Sequence, residues 1–324
     1  MDFDKKVVAL GGGTGLSTML RGLRKFTQHI TAVVTVADDG GSSGMLRDDL
    51  NMLPPGDIRN CINALANIDP VMRELINYRF PDGKLAGHSF GNLFLAALNG
   101  ISESFDEAVK KMNKLLNIDG LVLPVTNENI ALAAMLEDGT VVRGESNIGH
   151  TVPRHVRISR VELIPRNVRP VDGILEMIRE ADVITMGPGS LYTSIIPNLL
   201  VDGVVEAIRK SSAVKVYVCN IMTQPSETDF YSVYDHLAAI EKHSFYGICD
   251  YVICNNKKIP AHILARYCEE NSEIVEIDRE RFSDSSTRLI EDNLLRIIDG
   301  KYIRHDFDRV SEVIIKLSEK RGRR

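Results

Sequence analysis

A chain of 324 residues with 44% hydrophobic and 26% charged residues is long enough to bury a sizeable core. Its formal net charge of −5 excludes a general nucleic-acid coat, which needs a clear basic excess. Five scattered cysteines without a CxxC pair exclude a disulfide scaffold and fit a reduced cytoplasmic setting. No apolar run reaches the ~20 residues of a membrane span, and the acidic start Met1-Asp2-Phe3-Asp4 does not read as a signal peptide.

In chain order, the pattern predicts a strand over 6–10, a helix over 15–26 and a strand over 30–36. A polar loop then leads to helices near 57–68, 70–79, 91–99 and 103–116. Strands follow at 120–125, 130–137 and 140–143, the last two joined by Asp138-Gly139, a hairpin turn. Alternation resumes with a helix at 171–180, a strand at 182–186, helices near 191–199 and 202–210, and a strand at 214–219. A helix around 228–243, a strand at 251–254, a short strand at 301–304 and a helix from 308 to 319 complete the chain. The expected fold is α/β, a Rossmann-like doubly wound, mostly parallel sheet. It forms one domain over 1–324, with a helical insertion around 70–116 and a small antiparallel β-hairpin insertion around 130–144. The basic tail Lys320-Arg321-Gly322-Arg323-Arg324 reads as a frayed end rather than an anchor.

The densest chemical signal is Gly11-Gly12-Gly13-Thr14-Gly15 after the first strand. Residues without a Cβ allow a very tight turn, and the helix that follows presents free N–H groups and the positive end of its dipole. A phosphate or diphosphate is held by such a turn, with Thr14 and Ser17 adding hydroxyl donors; a tight packing turn is the alternative. It is neither a dinucleotide fingerprint, because Leu16 stands where the third glycine belongs, nor a P-loop, because no Gly-Lys-Ser/Thr follows. The turn Gly187-Pro188-Gly189-Ser190 repeats the pattern, and two such turns flanking the crevice where strand order reverses could hold two ends of one nucleotide.

Asp38 and Asp39, just past the second strand, suit a ribose hydroxyl or a water-mediated Mg²⁺, or else cap a turn. The run Gly40-Gly41-Ser42-Ser43-Gly44 reads as a flexible loop, either closing over substrate or forming a second anion nest. Asp57 stands at a helix start as a cap, a base or an Mg²⁺ ligand. Arg59, with Asn60 behind it, suits a phosphate clamp because its planar fork matches an oxyanion. His88-Ser89-Phe90-Gly91-Asn92 feeds another helix, with His88 a structural residue or a proton carrier. Thr126-Asn127-Glu128-Asn129, and Asn220 with Thr223-Gln224, follow strands and fit base or sugar recognition or loop capping. Tyr267 and Arg304 are further binding candidates. No catalytic Ser-His-Asp order or zinc spacing is present.

The blocks Gly11–Leu20, Ala37–Leu46, Pro54–Asn60, Pro124–Asn129 and Gly187–Ser194 resemble the signature blocks of the CofD-like superfamily. The similarity spans nearly the whole chain and is nearer to the bacterial YvcK-type gluconeogenesis-factor branch than to 2-phospho-L-lactate transferase. That resemblance implies a Rossmann-like cytoplasmic protein that binds UDP-sugars, notably UDP-N-acetylglucosamine. It also implies a role in cell-wall synthesis and cell shape during gluconeogenic growth, through a protein partner in wall-precursor synthesis, with a homo-oligomer possible and no cofactor required. The transferase alternative makes Asp57, which matches the family's candidate catalytic aspartate, a base or metal ligand and Arg59 the group that steadies phosphoryl charge. Against it, the transferases carry acidic residues where this chain has Thr126-Asn127-Glu128-Asn129, and their flavin-binding region has no counterpart here. A third reading is an NAD-dependent enzyme; NAD could occupy the same cradle, since it too presents a diphosphate and a ribose.

Overall fold

The structure, a computed structural model, describes residues 4–321. The end of the basic tail and the first three residues of the acidic start lie outside the described residues. Seven strands form one sheet in which every pairing is parallel: β1 (Val7–Gly11), β2 (Ile30–Val34), β3 (Leu121–Pro124), β7 (Val183–Met186), β8 (Val214–Val218), β9 (Tyr251–Asn255) and β10 (Arg288–Asp292). Their spatial order is β10-β9-β8-β7-β1-β2-β3. The first half of the chain winds outward from β1 to β3, and the second half returns to β7 and winds the other way. The reversal falls between β1 and β7, where Val7 pairs with Val183 and Leu10 with Met186. β1, β7 and β8 are buried along their whole length, as strands covered by helices on both faces must be.

The helices take up those faces. α1 (Gly13–Leu23) buries Leu16, Met19, Leu20 and Leu23, a 3–4 spacing that makes one apolar stripe. Between β2 and β3 run α2 (Gly41–Leu50), α3 (Gly56–Leu65), α4 (Pro70–Asn77), α5 (Phe90–Gly100) and α6 (Phe105–Leu115). The sequence pattern misses α2. Two glycines and two serines have low helix propensity, but Ser42, Ser43, Gly44 and Leu46 are buried, so packing overrides propensity. The supposed flexible loop 40–44 is therefore the N-terminal turn of a helix.

Between β3 and β7, the expected hairpin of β4 (Ala131–Leu136) and β5 (Val141–Arg143) is present, with Ala134 opposite Val142. It gains a third antiparallel strand, β6 (Ile158–Ile164), across α7 (Glu145–Thr151), and so forms a separate sheet ordered β5-β4-β6. Neither α7 nor β6 was legible. α7 holds one residue buried from solvent, Ile148, and β6 carries charges at Arg160 and Glu162 on its outer face. α8 (Ile174–Glu180) precedes β7; α9 (Ile196–Leu199), α10 (Val204–Lys210) and α11 (Val233–Lys242) follow it. α11 starts five residues later than the pattern suggests, fixed by a Ser232–Asp235 capping box. Beyond β9 come α12 (Ala261–Glu269) and β10, both unforeseen. β11 (Leu295–Ile298) and β12 (Tyr302–His305) form a two-stranded antiparallel ribbon, and α13 (Phe307–Arg321) packs against α1. Among the described residues no single helix is long and apolar enough to cross a membrane.

Candidate functional site

β1 and β7 end side by side at the strand reversal, and each runs into a glycine turn. The first N–H groups of α1 have no side-chain cap at Gly12; the Gly13 N–H is taken by the Asp57 carboxylate at 2.6 Å. Gly13 has φ +67 and Gly187 φ +74, the left-handed region in which side chains are strained. A Cβ on Gly15 would stand 2.5 Å from the Pro188 carbonyl oxygen, so the two turns touch backbone to backbone. Asn220 Nδ2 donates to the Gly189 carbonyl at 2.8 Å, and Gln224 Nε2 donates to Ser190 Oγ at 2.7 Å; both brace the second turn.

These turns floor a cavity of about 490 Å³. Gly12, Gly13, Thr14 and Gly15 line it from β1, Pro188, Gly189 and Ser190 from β7, Asn220, Thr223 and Gln224 from β8, and Tyr267 and Arg304 from the far side. Tyr267 is held in place because its hydroxyl accepts from the Ile303 N–H at 2.9 Å. Thr18, Ser194, Glu270, Ser272 and His305 join the wall although no sequence signal marks most of them. His305 is buried, which pushes its pKa down to about 4, and its ring nitrogen meets the Cys219 carbonyl at 3.1 Å. A neutral imidazole so tied is a structural group of the cavity wall. Ser17 points elsewhere: it is buried and its hydroxyl donates to the Thr14 carbonyl at 3.0 Å. Gly11 lies within β1, its carbonyl accepting from Asn198 Nδ2 and the Thr35 N–H.

A second group of the candidate residues gathers beside the cradle, around α2 and α3. Asp38 accepts the Gly40 N–H at 2.9 Å, a turn-forming bond. Both oxygens of Asp39 are used: they accept the N–H groups of Glu145 and Ser146 at 2.9 and 2.8 Å, so Asp39 caps α7. Of the roles read for Asp39, these two bonds supply the capping one. Ser43 Oγ accepts the Gly56 N–H, and Ser42 Oγ meets His88 Nδ1 and Asn92 Nδ2, each at 3.0 Å. His88 is thus buried in a polar contact with α2, where it holds structure. Arg59 is buried with its stem against Gly91, and Asn60 is half-buried on α3 and lines neither the cradle cavity nor the one beside β3. Among the described residues no three His, Cys, Asp or Glu side chains are grouped to hold a metal ion.

Thr126 and Asn127 are placed apart from the glycine turns. They line a different cavity, of about 400 Å³, with Asp106, Lys110, Glu128 and Arg169. Asn127 is locked there by Asp106, accepting its N–H at 3.0 Å and donating to its carboxylate at 2.8 Å. A strand-end position was the only sequence clue, and β3 is the outermost strand of the sheet, far along the order from β7 and β8.

The cradle's neighbours are acidic and hold protons tightly. Burial raises Asp57 to about 6, and the negative charge of Asp38 adds to it, against the Gly13 N–H. Burial likewise raises Glu145 to about 7, with Asp38 and Glu227 adding, and Glu227 to about 7, opposed by the Tyr192 N–H and the Thr193 hydroxyl. A carboxyl raised in the folded state binds more protons folded than unfolded between its two pKa values. For Asp57 that window runs from 3.8 to about 6, and stability is lost as pH rises through it. Asn at this position keeps an oxygen for the Gly13 N–H and has no charge to desolvate. The melting temperature of Asp57→Asn is therefore expected to gain on the wild type between about pH 4 and pH 6 and to hold that gain unchanged above pH 7, measured by calorimetry. A constant difference would show that Asp57 ionises freely.

Residues 7–295 match the family of 2-phospho-L-lactate transferase CofD. A chain from Thermoanaerobacterium thermosulfurigenes is 55% identical over 315 residues, 97% of this chain and 97% of that one. The gluconeogenesis factor of Bacillus subtilis is 46% identical over 314 residues, covering 96% of this chain and 98% of its own. A crystal structure of a protein from Bacillus halodurans, 46% identical, superposes with a TM-score of 0.93 over 96% of this chain and 100% of that chain. A parallel sheet with paired glycine turns at its reversal, matched along most of its length in sequence and in shape, makes this chain a member of the CofD family.

Proposed function

We propose that the chain binds a nucleoside-diphosphate sugar of the UDP-N-acetylglucosamine kind in the 490 Å³ cavity. It acts as a regulatory protein of the cytoplasm, linking carbon metabolism under gluconeogenic growth to cell-wall synthesis and cell shape through a protein partner. The observation that carries the binding half is the meeting of two glycine turns at one cavity, with the first turn of α1 between them, where Asp57 takes the Gly13 N–H and the Thr14 and Gly15 N–H groups have no side-chain cap. The diphosphate lies on the N–H groups of Thr14 and Gly15, and Tyr267 offers a ring face to the base or sugar. The cavity falls within the range of small-molecule sites. The regulatory half rests on the kinship with gluconeogenesis factors.

A second reading has one observation in its favour. Asp57, raised to about 6 and bonded to the Gly13 N–H, is placed to take a proton beside the cradle, as a phosphotransferase requires. Calorimetry separates the two. Titration with UDP-N-acetylglucosamine, NAD and GTP, with and without Mg²⁺, is expected to give micromolar binding of the UDP-sugar that survives EDTA. A guanine nucleotide held only with Mg²⁺, with no UDP-sugar binding, would establish the transferase instead.

A further inference from the structure

Three helices begin around one point beside the cradle. α2 and α3 meet through the Ser43–Gly56 bond, and α2 and α5 meet through the Ser42–Asn92 bond. The Gly40 cap of α2 supplies no side chain to its first turn, and the N–H groups of Gly41, Ser42 and Ser43 have no hydrogen-bond partner among the described residues. Converging positive helix ends favour an anion. Two side chains there are left unpaired. Arg59 is only 8% exposed, makes no side-chain hydrogen bond among the described residues, and has its Nε sealed from solvent without a partner. Its stem crosses the first turn of α5 so closely that a Cβ on Gly91 would lie 2.7 Å from Arg59 Cδ. Asn92, 2% exposed, gives its Nδ2 to Ser42 and leaves Oδ1 buried and unpaired. Burying such groups without partners is unfavourable, so a ligand that pairs them is strongly preferred.

The two vacancies differ in kind. Arg59 needs an acceptor, whereas Asn92 Oδ1 needs a donor. A carboxylate or a sulfate offers only acceptors at neutral pH. A phosphate that retains a proton offers both. We propose that Arg59 and Asn92, with the first turn of α2, form a second phosphate subsite, separate from the glycine cradle and taking the phosphate in a protonated form. The charged groups coupled to it are Arg59 and Arg79, with Asp38 and Asp57 opposing them, and the His88 ring meets Ser42 Oγ. Arg79, near enough to disfavour the charge on Arg59, adds to the attraction for an oxyanion. This goes beyond the nucleotide reading and stands if that reading fails.

Inorganic phosphate and sulfate, titrated separately into the full chain and followed by calorimetry, test it. Phosphate is expected to bind at least about tenfold more tightly than sulfate. Arg59→Lys keeps the charge but loses the side-on fork and is expected to weaken phosphate about tenfold. Asn92→Asp, nearly the same shape, sets a negative charge against the ligand and is expected to abolish binding, so the test survives if the arginine variant folds poorly. UDP-N-acetylglucosamine affinity should stay within about twofold in both variants. Equal affinity for sulfate, no phosphate binding, or phosphate affinity indifferent to both substitutions would overturn the proposal. So would loss of phosphate binding in Thr14→Glu, which would place the ion on the cradle.

Discussion

Thr14→Glu is expected to weaken binding of a nucleoside diphosphate by about 100-fold or more, with little change in thermal stability. Thr14 is exposed, sits in the first turn of α1 and lines the cavity floor. A glutamate there places its own carboxylate at the helix end where the ligand's diphosphate belongs. Like charges brought together in a binding site cost several kcal/mol, and 100-fold in affinity corresponds to about 2.7 kcal/mol. The same carboxylate suits the positive end of the helix, by about 0.3–1 kcal/mol, so the fold does not suffer. Calorimetric titration beside a melting curve checks both halves. Unchanged affinity would show that the ligand's charge lies away from α1.

The second large effect contrasts two glycines of the same helix. Gly15→Ala drives a methyl group to 2.5 Å from the Pro188 carbonyl oxygen, and Gly22→Ala drives one to 2.4 Å from the Phe307 carbonyl oxygen. Backbone cannot yield cheaply at either place, so each substitution is expected to cost about 1–3 kcal/mol, seen as a melting point lowered by several degrees. Only the first lies at the cavity. Gly15→Ala forces the two glycine turns apart and is expected to weaken UDP-sugar binding at least tenfold; Gly22→Ala loosens α1 from α13 and leaves affinity alone. If both variants lose affinity alike, binding merely follows stability, and the contact between the turns does not shape the site.

The Asp57 carboxylate illustrates how a local rule finds its object at a distance. An acid in the first turn of a helix is normally read as serving that helix. Here it serves another: its partner is the Gly13 N–H, 44 residues earlier in the chain. Asp39 does the same in the other direction, capping α7 more than a hundred residues later. In both cases the chemistry of the side chain was evident and its partner was not.

What the sequence determined by itself is whatever depends on neighbours along the chain. Apolar runs and helical stripes mark most strands and helices, because burial periodicity is local. The glycine turns announce themselves for the same reason: a turn that excludes Cβ atoms and opens a helix is written in five consecutive residues. Even the hairpin at Asp138-Gly139 follows from two residues with the right turn preference. Tertiary structure decided everything that depends on which elements become neighbours in space. It made α2 a helix despite poor propensity, by burying Ser42 and Ser43. The sheet order carried Thr126 and Asn127 away to the edge while drawing Tyr267 and Arg304 to the glycine turns. Packing also sealed Arg59 and Asn92 from water, turning two ordinary polar residues into unmet hydrogen-bonding demand. A propensity acts over a few residues, whereas burial and pairing energies belong to contacts between distant ones, and only the closed fold fixes those contacts.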